Sequence, residues 1–258
     1  MQLLVSVRSA LEVEPALAGG ADIIDAKEPG RGSLGPVTAA ALAEILGRVP
    51  PHHPFSVALG DFATTGEVTA ALGAIELPSR PGPTFLKLGF SRVQSADLVC
   101  ELLTAAVRSA SALGSPPHII AVAYADTERA GSLSPELICR LAHGAGAAGV
   151  LIDTYIKDGT GLLNWWSPAA LASWVSKART AGLLTGLAGA LGPDDIACVA
   201  AAMPDVLGFR GAACDAGRSG RVSAQRVAML RRQLDGHRET RDRTAYPASV
   251  PLLSRLNS

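Results

Sequence analysis

Lysine is almost missing from this chain. Among 258 residues there are nineteen arginines but only four lysines, Lys27, Lys87, Lys157 and Lys177. Aromatic residues make up 4% of the sequence, too few for rows of base-stacking platforms. Net charge is also lacking: Lys plus Arg and Asp plus Glu both total 23, so no basic surplus argues for nucleic acid or an anionic membrane. Cysteine is scarce and scattered. Cys100, Cys139, Cys198 and Cys214 are too far apart for a metal-binding pair and read as free thiols of a reducing compartment. The five histidines show no HxH or HExxH spacing, so no protein-built metal site and no metal cofactor are expected. No uncharged run reaches the length of a membrane span. The N-terminus, Met1-Gln2-Leu3-Leu4-Val5-Ser6-Val7-Arg8, has the pattern of a strand and not of a signal peptide. The expectation is a cytoplasmic protein with no nucleic-acid or membrane partner.

What is present is alternation. Short, nearly continuous apolar runs occupy about 2–6, 22–27, 55–60, 84–88, 118–124, 149–153, 183–188 and 205–210. Each is followed by a stretch able to hold a helix, such as Val37–Leu46, Gly66–Leu72, Ala96–Leu113, Ser134–His143, Ser167–Ala181 and Ser223–Leu234. Apolar runs without polar alternation suit strands of a parallel sheet buried on both faces. Eight such units predict an α/β fold, a single (β/α)8 barrel over residues 1–234, with a C-terminal tail over 235–258. The first strand leads into Arg8-Ser9-Ala10-Leu11-Glu12 with no GxGxxG, which argues against an open nucleotide-binding sheet. The tail combines a charge run, His237 to Arg243, with an apolar hook, Pro251-Leu252-Leu253, and is expected to pack on the surface or on a neighbour, with disorder the alternative.

The lysines fall where barrels carry their chemistry, at the C-terminal ends of strands. Residues i and i+2 of a strand share a face, so Asp25 and Lys27 point the same way at the end of the second strand. Lys87 ends the fourth. Asp153 closes the sixth, with Lys157 just beyond it, and Asp126 follows the fifth. Three amines and several carboxylates on one rim suit imine chemistry. A neighbouring cation or burial brings a lysine toward neutrality, and a carboxylate can move protons. An Arg-rich composition that keeps lysine at these positions fits that chemistry, because arginine cannot lose its proton and attack a carbonyl. Lys177, within a helix, reads as a surface cation.

The seventh and eighth strand ends, Leu187-Ala188-Gly189-Ala190 and Gly208-Phe209-Arg210-Gly211-Ala212, lie where barrels hold phosphate. Gly189, Gly211 and Ala212 offer close backbone approach and Arg210 a cation; Arg218 and Arg221 suit the phosphate or the surface equally well. Ser33, in the compact loop Lys27-Glu28-Pro29-Gly30-Arg31-Gly32-Ser33-Leu34-Gly35, is a further substrate-binding candidate. Cys214 has no nearby histidine to activate it and reads as a packed thiol. Tyr124 and Tyr155 are open between proton donors and packing, and Trp165 and Trp166 read as packing over a helix start.

Several stretches together resemble the (5-formylfuran-3-yl)methyl phosphate synthase family, also called 4-(hydroxymethyl)-2-furancarboxaldehyde-phosphate synthase. They are Leu3-Leu4-Val5-Ser6, Ala18-Gly19-Gly20-Ala21-Asp22-Ile23-Ile24-Asp25-Ala26-Lys27, Gly32-Ser33-Leu34-Gly35, Leu86-Lys87-Leu88-Gly89 and Tyr124-Ala125-Asp126. Asp153-Thr154-Tyr155-Ile156-Lys157-Asp158-Gly159, Leu187-Ala188-Gly189 and Arg210-Gly211-Ala212-Ala213-Cys214 complete the set. The resemblance implies condensation of two molecules of glyceraldehyde 3-phosphate into a phosphorylated furan aldehyde, with loss of phosphate and water. The product would feed a methanofuran-type carrier of one-carbon metabolism. It further implies Lys27 as the Schiff-base lysine, Lys87 as proton acceptor, and Lys157, Asp25 and Asp153 as their partners. No external cofactor is expected, and a homo-oligomer is. The proline-rich connector before the fourth strand and the tail after Asp235 look like additions to the family pattern. A class I aldolase acting on another phosphosugar, or a non-catalytic barrel that binds a phosphorylated metabolite, are the alternative readings of the same residues.

Overall fold

The computed structural model describes residues 1–242. Eight parallel strands close into a barrel in sequence order: β1 Gln2–Val7, β2 Ile23–Ala26, β3 Phe55–Asp61, β4 Thr84–Gly89, β5 His118–Tyr124, β6 Gly149–Asp153, β7 Leu184–Leu187 and β8 Val206–Phe209. The ring is sealed by β1 against β8, with Leu3 opposite Leu207 and Val5 opposite Phe209. Ten α-helices accompany them among the described residues: α1 Val13–Ala18, α2 Ala39–Leu46, α3 Thr65–Ala74, α4 Ala96–Ser111, α5 Thr127–Ala130, α6 Pro135–Gly144, α7 Leu162–Trp165, α8 Pro168–Thr180, α9 Ile196–Ala201 and α10 Ala224–Asp242. Eight of these cover the barrel. The four-residue α5 and α7 are extra turns in the loops after β5 and β6. The charge run begins within α10, which continues to Asp242; the apolar hook lies outside the described residues.

Helix starts are set locally. Thr38, Thr64, Ser95, Ser134 and Ser167 each accept a hydrogen bond from a backbone N–H of the first turn of α2, α3, α4, α6 and α8, an arrangement worth about 1 kcal/mol per helix. Strand alternation then divides the core. Leu86 and Leu88, Ile119 and Ala121, and Ile24 and Ala26 pack outward beneath the helices. Phe85, Ile120, Val122, Leu151 and Leu184 fill the barrel interior. The inward set turns polar toward the C-terminal rim. Ile23 gives way to Asp25 and Lys27, Phe85 to Lys87, and Leu151 to Asp153. An apolar plug thus supports a charged floor. No helix among the described residues is long and apolar enough to cross a membrane.

Candidate active site

Above that floor opens a cavity of about 370 Å³, lined by Lys27, Lys87, Asp153 and Lys157 and by the ends of β7 and β8 with their loops. Among the described residues no cluster of side chains suits a metal ion. Lys27 and Lys87 are 7% and 4% exposed, Asp25 is fully buried and Asp153 is 2% exposed. Buried charges of this kind persist only when paired, and the pairing is uneven. Lys87 Nζ lies 2.7 Å from Asp25 Oδ1. Asp25 Oδ2 accepts from Ser6 Oγ at 2.8 Å, across the β1–β2 register that sets Ser6 beside Asp25. Lys157 Nζ donates to Asp153 Oδ1 at 2.5 Å and to Thr154 Oγ1 at 3.1 Å. Lys27 Nζ is only loosely held, 3.8 Å from Asp153 Oδ2.

The electrostatics follow from that geometry. Burial lowers the Lys27 pKa from 10.5 to about 8. Asp153 and Asp25 oppose the fall, and the charges of Lys87 and Lys157 add to it. For Asp25, burial alone would raise the pKa, but Lys87 and Lys27 outweigh it and hold the carboxyl below its ordinary range. Asp153 is likewise pushed up by burial and brought well down by Lys157, Lys27 and the Thr154 N–H. The result is two ionised carboxylates, two closely paired lysines, and one lysine that gives up its proton far more readily than an ordinary amine.

The loops that carry these groups are tied together. Ser33 Oγ lies 3.1 Å from Asp153 Oδ2 and donates to the Thr154 carbonyl at 2.8 Å, which fastens the loop after β2 to the end of β6. Asp126 accepts from Tyr155 N at 2.6 Å and from Ile156 N at 3.0 Å. Asp126, a carboxylate on the strand-end rim and a candidate substrate-binding residue, clamps the loop that presents Lys157, with both oxygens engaged and only 1% exposure. Gly189 has φ 113°, and a Cβ there would press on Thr154; the bare backbone is needed for the β7 loop to lie against the β6 loop. Gly211 and Ala212 open a 3-10 turn, so their N–H groups precede the first internal bond of that turn, Ala213 N to Arg210 O.

Arg210 requires a correction. It borders the cavity, but its five N–H donors are all engaged inside the protein. Nε donates to Arg218 O, Nη1 to Ser6 O and Glu12 Oε2, and Nη2 to Glu12 Oε1 and Gly220 O. A guanidinium has no sixth donor, so Arg210 organises the loop after β8 and offers no hydrogen bond to a phosphate. Its partner Glu12, 3% exposed, stands between Leu11 and Val13 at the end of a 3-10 turn, and nothing in that stretch of sequence points to a partner 198 positions away. Ser6 was missed too, although a hydroxyl in phase with the inward residues of an apolar strand was a usable signal.

The remaining candidates lie apart from the cavity. Tyr124 donates to Asp61 Oδ1 at 2.8 Å and packs edge-on against Tyr155. Burial and Asp61 raise its pKa well above the ordinary value, which keeps the phenol protonated. Burial also raises the Cys214 thiol, in keeping with a packed, unreactive sulfur. Trp165 stacks under the Arg129 guanidinium, Trp166 packs against the outer core, and Lys177 and Arg221 are exposed.

Comparison with known proteins decides the family. The family model described as 4-HFC-P synthase matches residues 3–231. The chain belongs to that family. A (5-formylfuran-3-yl)methyl phosphate synthase of Methanocaldococcus jannaschii is 34% identical over 238 residues, covering 90% of this chain and 98% of its own. That of Methanosarcina barkeri is 32% identical over 230 residues, 89% of this chain and 97% of its own. Among solved structures, phosphoribosyl anthranilate isomerase from Thermus thermophilus superposes with a TM-score of 0.61 at 16% identity, over 92% of this chain and all of the other. A 3-hexulose-6-phosphate synthase gives a TM-score of 0.58 at 17% identity, over 90% and 99%. At such identities the structural likeness speaks for the barrel alone, whereas the 4-HFC-P synthase relatives extend along almost the whole chain.

Proposed function

We propose that this barrel condenses two molecules of glyceraldehyde 3-phosphate into (5-formylfuran-3-yl)methyl phosphate through an imine on Lys27. The observation that carries the reading is the inequality of the three lysines. Lys87 and Lys157 are held to carboxylates at 2.7 and 2.5 Å, while Lys27 stands 3.8 Å from its nearest and has a pKa lowered to about 8. A nucleophilic amine must be partly neutral; a proton carrier and a phosphate-facing cation need not be.

Product connectivity constrains the steps. The ring carbon that bears the phosphomethyl group has three carbon neighbours. The new bond therefore joins the central carbon of the triose that keeps its phosphate. Both substrates first take the ketone form, with the Lys87–Asp25 pair moving the proton between C2 and the former aldehyde carbon; in the ketone that carbon is the hydroxymethyl C3 and C1 bears the phosphate. Lys27 attacks the C2 carbonyl of one triose, and water leaves to give the imine. Removal of a C3 proton forms the enamine, whose electrons expel phosphate from C1. The resulting terminal enamine carbon, C1, attacks the C2 carbonyl of the second triose. The hydroxymethyl oxygen of that triose closes on the imine carbon and Lys27 departs. A second water is lost as the ring becomes aromatic. The balance is two triose phosphates to one furan phosphate, one inorganic phosphate and two waters, with no oxidant or reductant. Lys157 faces the departing phosphate, and the loops after β7 and β8 hold the retained one. In the host, the product would serve assembly of a furan-containing one-carbon carrier.

The test is incubation with glyceraldehyde 3-phosphate alone, following free phosphate and furan absorbance together. They should appear in equal amounts, and borohydride should trap a triose adduct on Lys27. Lys27→Arg keeps the charge and should abolish adduct and product. Carbon–carbon bond formation without phosphate release would favour an aldolase, and absence of any adduct would leave only a binding protein.

A further inference from the structure

Two arginines border the cavity, and the structure uses them differently. Arg210 has every donor occupied by protein acceptors. Arg218 stands in a 3-10 turn of the same loop. Among the described residues its guanidinium makes one hydrogen bond, from Nη2 to the Gly32 carbonyl at 2.6 Å. Its remaining donors are uncommitted, and the side chain is a wall of the cavity. Arg218 is half-buried, and its environment contains Asp153 and Glu28 as well as Arg210. The Gly32 carbonyl belongs to the loop that follows Lys27. That loop closes on itself through Glu28 N to Gly35 O at 2.8 Å, and it is further fastened by Lys27 N to Val7 O at 2.9 Å and by Ser33 on the β6 end.

We propose that Arg218 is the phosphate-recognition residue of the site and the latch that couples phosphate occupancy to the Lys27 loop. The forked guanidinium gives two edges. One holds the Gly32 carbonyl; the other presents N–H donors to a phosphoryl dianion seated at the Gly211–Ala212 turn. A bound dianion fixes the side chain and, through it, the loop beside the imine-forming lysine. Arg210 and Glu12 act as positioning residues: Arg210 Nε holds the Arg218 carbonyl at 3.0 Å, and its bidentate grip on Glu12 fixes where the turn stands. The phosphate chemistry rests on the triose phosphate reading above, and the assignment of Arg218 is separable from it.

The experiment uses the full chain with inorganic phosphate as probe, titrated by calorimetry, alongside steady-state kinetics with glyceraldehyde 3-phosphate. Arg218→Ala should weaken phosphate binding roughly 10- to 100-fold, the scale of losing charge-assisted hydrogen bonds, and raise KM similarly. Arg221→Ala, on an exposed residue of the same loop, should leave both unchanged. Arg218→Lys restores a point charge but lacks the fork. It should recover part of the phosphate affinity while phosphate no longer slows amide exchange across residues 27–35, as it should in the wild type. Circular dichroism checks the fold, and the lysine variant decides the matter if the alanine variant does not fold. Unaltered phosphate affinity in Arg218→Ala, or full loop protection in Arg218→Lys, would overturn the assignment. Wild-type protein that binds phosphate through Arg218 yet makes no furan would instead refute the synthase reading and leave Arg218 standing.

Discussion

Replacing Lys27 with methionine should destroy activity and make the protein more stable. Lys27 is 7% exposed, and burial brings its pKa from 10.5 to about 8. At about 1.4 kcal/mol per pH unit, the native state bears a penalty of about 3 kcal/mol for holding this amine protonated. The sign follows from proton counts. Below pH 8 both native and unfolded chains bind the proton, so the penalty is present in full. Between about 8 and 10.5 the unfolded chain binds more protons than the native one, so native stability rises with pH. Above 10.5 the amine is neutral in both states and the penalty is gone. Methionine has similar length and no charge to desolvate, and Asp153 keeps Lys157 at 2.5 Å, the Thr154 N–H and Ser33 as partners. Lys27→Met should therefore gain up to about 3 kcal/mol at pH 7. For a domain of this size that is roughly 6–10 °C in melting temperature. Melting curves at pH 7 and pH 10 for both proteins measure it, and the gain should shrink at the higher pH. A variant no more stable than wild type at pH 7, or a gain independent of pH, would refute the claim that Lys27 is held against its own charge.

Two other substitutions test the surrounding scaffold. Asp25→Asn leaves Lys87 buried without its carboxylate and should cost about 3–5 kcal/mol, read as a lower melting temperature at pH 7. Asp126→Ala removes the acceptor of the Tyr155 and Ile156 N–H groups; amide exchange across 154–160 should accelerate at least about tenfold, with kcat reduced and borohydride trapping at Lys27 retained.

The barrel was legible because its strands are buried on both sides, and such strands write themselves as uninterrupted apolar runs. Observed strands fall within one or two residues of those runs. The short helices α1 and α9, six residues each, carry too few turns to show a period, and the turns α5 and α7 depend on loop context. Lysine positions were legible for the same reason as the strands: a cation at the end of an apolar run must sit at a strand end. What could not be read was which donor meets which acceptor. Arg210 looked like a phosphate ligand because its neighbours are glycine and alanine. Its task depends on Glu12, brought beside it only when β1 closes on β8. Asp126 looked like a rim carboxylate, yet its partners are backbone amides 29 and 30 residues away, and an amide leaves no mark in a sequence.

The Glu12–Arg210 pair also bears on how the molecule is made. Glu12 leaves the ribosome with the first βα unit and Arg210 with the last. Until β8 docks, the carboxylate lacks its bidentate partner and has only Arg8, whose Nε lies 3.8 Å away and whose backbone N–H donates to it. The lysine half of the site, on β2, β4 and β6, can assemble from the earlier units, whereas the β8 loop acquires its shape only when the first and last strands of the barrel meet. A contact spanning 198 residues is slow to form. Its formation marks completion of the barrel, so a chain stopped before β8 would carry all three amines and still lack one wall of the cavity that encloses them.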